Sequence, residues 1–147
     1  MAIALALHVL AAVIWVGGMF FSYLCLRPAA LALDPPVRLR LWASVLSRFF
    51  RYVWIAIAVL LVTGFWMFFA GVRGPHVHAM LGLGIPMMLL AAHMYFAPYK
   101  KLKRLAAISN WPEAARQINT IRILLGINLL LGLTVVAIAS GGRFGFH

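Results

Sequence analysis

The chain has 147 residues, of which 65% are hydrophobic and only 10% charged. A soluble domain of this size cannot hide that much apolar surface, because roughly half is the usual apolar share, so lipid is the solvent for most of it. The net charge of +11 sits in clusters between apolar runs, which argues for anionic lipid headgroups rather than nucleic acid as the partner.

Four runs, near residues 2–26, 53–72, 77–97 and 121–140, are apolar over the length of about 20 residues that a span requires. They predict an all-α integral membrane protein, a single four-transmembrane-helix bundle over residues 1–147. The first run has no basic stretch before it. It also stays apolar beyond the roughly 7–15 residues of a signal-peptide core, so it is read as a helix of the mature protein. Its one cysteine, Cys25, is expected to serve packing.

After "RPAA" comes "LDPPVRLRLWASVLSRFFRYVW". Asp34 suits an N-cap and Pro35 a first helical position. Val37, Leu41, Val45, Leu46 and Phe49 then recur at helical spacing, predicting an amphipathic interfacial segment near 35–50 that leads into the second span. The third span opens at "GPHVHAM", with Gly74 as cap and Pro75 at the first position. Pro86 is expected to bend it and to release the Gly82 carbonyl. The fourth opens at "SNWPEAARQ", where Asn110 and Glu113 have capping-box spacing. Asn128 falls mid-span, so its amide should face inward and bind a neighbouring helix. Gly17, Gly18, Gly64, Gly82, Gly84, Gly126 and Gly132 offer places for backbones to approach.

Eleven of the thirteen Lys and Arg residues flank the connections between spans 1 and 2 and between spans 3 and 4; Arg73 and Arg143 are the others. The positive-inside rule then predicts cytoplasmic basic loops and both termini outside, as in a multi-pass protein of a bacterial-type inner membrane. Oligomers are compatible with this arrangement.

The spans contain no Asp or Glu, which argues against a carboxylate proton relay or a paired-carboxylate site. Histidine carries most of the remaining polar chemistry, and ionisable groups in a membrane are candidate functional groups. At 100° per residue, Ala12, Trp15, Met19 and Ser22 share a stripe with His8, and Gly82, Ile85 and Leu89 share one with His78. His93 lies about 60° round from His78, and His76 points nearly the opposite way. His8 and His78 differ in depth by only about 5 Å. Two facing imidazoles suit a haem iron or a copper ion. One reading is a metal centre between helices 1 and 3, on His8 with His78 or His93, with Met19 as a further ligand. The other is that these histidines only hydrogen-bond backbone carbonyls or sit at the wet interface. The metal centre is the main expectation. Trp15 and Gly82 would line it, the glycine leaving room for a flat macrocycle. His76 and His147 are expected to be idle. Six span methionines, Met19, Met67, Met80, Met87, Met88 and Met94, read either as packing or as soft ligands for Cu(I).

The pattern His8–x6–Trp15–Val16–Gly17–Gly18–Met19–Phe20 resembles the first helix of the CopD copper-resistance membrane family and of HemJ-type protoporphyrinogen oxidases. "RFFRYVW" leading to "VTGFWMF" resembles their second helix, and "HVHAMLG" followed by "KKLKRL" their third. The HemJ side implies b-type haem on His8 and an oxidoreductase acting on a porphyrinogen. The CopD side implies copper homeostasis or transport, with a copper chaperone or redox partner. His76–Val77–His78 departs from the His–x–Lys of HemJ-type proteins, while "WVGGMFF" and "LRPAA" look closer to CopD. The main expectation is haem b used for electron transfer; copper transport is the alternative, and a cofactor-free accessory subunit is the second.

Overall fold

A computed structural model describes residues 1–142; Arg143 and His147 fall outside them. Four long helices make up the fold: α1 (Ala2–Ala30), α2 (Pro35–Phe69), α3 (Pro75–Ala107) and α4 (Trp111–Gly141). All four are long and apolar enough to cross a membrane. Among the described residues there is no strand.

The helices run up and down. One end of the bundle carries Met1, the 70–74 turn and the end of α4. The other carries the connections at 31–34 and 108–110 and most of the cationic side chains. We call these the terminal end and the basic end. Three of the helices exceed 30 residues, so at 1.5 Å per residue they are longer than the ~30 Å hydrocarbon layer. Residues 35–50 lead without a break into the second span as one helix, as the sequence allowed, and Leu39, Trp42, Leu46 and Phe50 are buried. Ala30, Tyr99, Leu102 and Ala114 share that core at the basic end.

Local signals explain most boundaries. Pro35, Pro75 and Pro112 stand in the first turns of their helices, where the missing N–H costs nothing. Gly71 and Gly74 take positive φ in the turn between α2 and α3, a conformation that side chains with a Cβ resist. The expected capping contacts do not form. Asp34 occupies the N-cap position of α2 without a side-chain cap bond. At α4, Asn110 makes none either, and Glu113 instead pairs with Arg116 at 3.2 Å. Backbone bonds hold these starts, from Arg38 N–H to Asp34 and from Ala114 N–H to Asn110.

Toward the basic end α1 and α3 each widen into one π-helical turn, at Ser22–Leu26 and Tyr95–Tyr99. A proline lies in or just beyond each, Pro98 and Pro28. Its ring supplies no N–H, so the regular ladder is interrupted there. Pro86 supplies no N–H either, so the Gly82 carbonyl lacks its usual donor, yet the helix continues through it from Pro75 to Met94.

Lipid is as apolar as leucine, so close packing rather than water exclusion joins such helices. Four glycines provide it. Gly18 lies under Phe49, Gly64 under His8, Gly126 under Tyr23, and Gly132 under Val16, Met87 and Met19. Gly17, Gly82 and Gly84 face open space and play no such part. Between α2 and α3, aromatic side chains fill the gap: Phe50 lies 5.5 Å from Tyr95 and Trp54 lies 5.6 Å from Tyr95, both edge to face. Helices α1 and α2 pack closely, as do α3 and α4, and α1 and α2 both touch α4. α1 and α3 lie across the diagonal, with little backbone packing between them.

Candidate functional site

His8 is half-buried on α1, near the terminal end, and its ring is turned toward α2. Its Nδ1 lies 2.8 Å from Thr63 Oγ1. The Thr63 hydroxyl lies 2.6 Å from the carbonyl oxygen of Val59, one turn earlier on the same helix. Two oxygens that close need a proton between them, and the hydroxyl has only one. Thr63 therefore donates to Val59 and accepts from His8. Nδ1 must carry the hydrogen, and Nε2 of the neutral ring keeps its lone pair free. Gly64 makes the geometry possible. A Cβ at that position would sit 3.3 Å from His8 Cε1, so the imidazole lies directly over the α2 backbone.

Most of the stripe expected on α1 is inward. Trp15, Met19 and Ser22 are buried, Met19 completely so, while Ala12 is half-buried and its neighbour Ala11 is the buried alanine. α3 is turned the other way from expectation. His78, Gly82, Ile85 and Leu89 are all exposed, and so is His93. The buried side of α3 carries Met87, Ala91 and Met94. His78 rests edge-on to Phe68 of α2, with ring centroids 6.4 Å apart. A Cβ at Gly82 would meet nothing within 4 Å, so this glycine frames no cavity. His76 is half-buried, beside Gly74 and Gly142. Cys25 is exposed and free rather than packed. Among the described residues, no three His, Cys, Asp or Glu side chains come together as a metal-binding group.

These positions do not fit a bis-histidine haem between helices 1 and 3. Such a haem needs two imidazoles facing each other across a ring. His8 faces α2, and both histidine candidates on α3 are exposed, on the far side of a diagonal.

Sequence reasoning missed Thr63, and it named Gly64 only as a place for backbones to approach. The signal was present: Thr63 is six residues from the end of α2, about as deep as His8 is on α1. Asn128 behaves as its position in the sequence requires. It is fully buried, and its Nδ2 donates to the Met87 carbonyl of α3 at 3.3 Å.

Four long apolar helices packed around a half-buried imidazole and a stripe of buried thioether and indole define a small multi-pass membrane protein. Residues 43–141 match the family of copper resistance protein D, CopD. The match covers more than half of the chain, and the chain belongs to that family. No curated protein and no solved structure matches it.

Proposed function

We propose that the protein handles copper as cargo within the membrane, accepting it on His8 Nε2 near the terminal end. The observation that carries this is the clamping of His8 by Thr63, which presents an unprotonated nitrogen in a member of a copper-resistance family. Imidazole is a good copper ligand, and a hydrogen bond to its other nitrogen fixes the ring and raises its basicity. The basic end, where Lys and Arg concentrate, lies against anionic headgroups on the cytoplasmic side of the inner membrane. The terminal end, with His8, then faces outward, and a soluble copper carrier would deliver to or collect from it.

The test compares copper tolerance and cell-associated copper in cells with the wild-type chain, the His8→Ala chain, or neither. Wild type should shift both quantities, and His8→Ala should abolish the shift while reaching the membrane in equal amount. If the His8→Ala chain acts like wild type, His8 is a structural residue bonded to α2. If wild type shifts neither quantity, the copper reading fails.

A further inference from the structure

At mid-bundle, one side chain of α1 and one of α3 reach the same glycine of α4. Met19 of α1 and Met87 of α3 are 0% and 4% exposed, and both extend over Gly132 of α4. A Cβ at position 132 would lie 3.4 Å from the Met19 methyl and 3.2 Å from the Met87 methyl. Val16 Cγ2 lies there too, at 3.0 Å, so the two methionine methyls and a valine converge where α4 has no side chain.

One turn away on the same face of α4 stands Asn128, 0% exposed. Its Nδ2 must be the atom turned to the Met87 carbonyl, since an amide oxygen there would face another oxygen. That leaves Oδ1 buried and without a hydrogen-bond partner. Buried polar atoms are rarely left so, and an orphan needs an explanation such as an ion. Among the described residues no Asp, Glu, Lys or Arg is buried as a whole, although the Arg27 Nε is a buried atom without a partner.

We infer that Met19, Met87 and Asn128 form a binding site for a soft monovalent cation, Cu(I), in the middle of the membrane. Thioethers select Cu(I) over harder ions, and the carboxamide oxygen supplies the remaining donor. A monovalent ion on neutral ligands also carries the least charge into lipid. The inference rests on the copper reading and deepens it. His8 lies eleven residues from Met19, about 16 Å along α1, so the imidazole and the thioethers are successive stations and not one centre.

The experiment uses the full chain in lipid nanodiscs, with Cu(I) supplied from a chromophoric chelator under excess ascorbate, and with Ag(I) as a redox-inert surrogate. Cys25→Ser is the background, so that sulfur bound to the metal must be thioether. Competition gives affinity, and X-ray absorption identifies the ligand atoms. One Cu(I) per chain with sulfur in its shell is expected. Loss of an outer partner alone typically costs about 10–100-fold in metal affinity, so Met19→Leu/Met87→Leu should weaken binding at least about tenfold and remove the sulfur signal. Leucine approximates the volume of methionine, so the bundle should persist. Asn128→Leu should weaken binding while sulfur remains in the shell. His8→Ala should keep the sulfur signal.

A sulfur signal that survives in the double methionine variant would overturn the site. So would wild-type copper held on nitrogen and oxygen only, a result that leaves the His8 reading intact. Absence of any Cu(I) or Ag(I) binding also overturns the site, and the tolerance assay then decides the copper reading independently.

Discussion

Replacing Thr63 by valine keeps the shape of the side chain and removes one hydroxyl. In the wild type that hydroxyl accepts the His8 Nδ1 hydrogen at 2.8 Å and is itself anchored to Val59 at 2.6 Å. The variant leaves the imidazole N–H facing a methyl group. Interhelical hydrogen bonds in membrane proteins average about 0.6 kcal/mol and reach about 1.7, while orphaning a buried donor costs about 1–3 kcal/mol. His8 is half-buried, so partial access to headgroup water limits the loss to about 1 kcal/mol. A double-mutant cycle with His8→Ala should return most of that as coupling, since the two side chains are in direct contact. Reversible unfolding in mixed detergent micelles measures the cycle. Nitrogen NMR of labelled histidine measures the cause: wild type should show His8 protonated at Nδ1 and bare at Nε2, and Thr63→Val should lose that preference. The hydrogen-bond reasoning fails if the wild-type ring is protonated at Nε2, or if the two substitutions add independently.

Two further outcomes follow from packing and charge. Gly132→Leu should destabilise the bundle by roughly 1–3 kcal/mol through overpacking, whereas Gly82→Leu, in open space, should fall within about 0.5 kcal/mol of wild type; equal effects in the unfolding assay would contradict the facing assigned to α3 and α4. A phosphatase fused to the C-terminus should be active and a fluorescent protein there dark, because eleven of the thirteen basic residues flank the other end. The reverse pattern would invert the orientation.

The four spans were legible because hydrocarbon length is a coarse, strong signal that needs no tertiary knowledge. Their full extent was less so. Residues 35–50 read as an amphipathic stretch leading into the second span, but amphipathic periodicity looks the same whether the apolar face meets lipid or other helices, and here Leu39, Trp42 and Leu46 meet other helices. The face of α1 was legible from contrast: His8, Trp15, Met19 and Ser22 differ sharply from the leucines, valines and isoleucines around them. α3 was misread because its histidines were taken as inward markers. Its inward side is methionine and alanine, residues almost as much at home in lipid as in a core, so they advertise no direction. His78 lies only three residues into its helix, shallow enough for an imidazole to stay near headgroup water while exposed.

His8 was expected to meet a histidine of α3 and instead bonds to Thr63 of α2. Depth names a level in the bundle but not which of three neighbours stands beside a residue. At the level of His8 the closest backbone belongs to α2, because Gly64 allows it there and Thr63 supplies the acceptor. α1 and α3 face each other only diagonally, so whatever joins them must be long, flexible and free of a hydrogen-bonding demand. Histidine meets none of those needs well, and methionine meets all three. What spans the diagonal between helices 1 and 3 is accordingly a pair of buried methionines, Met19 and Met87, and the residue that makes room for both, Gly132, is on α4.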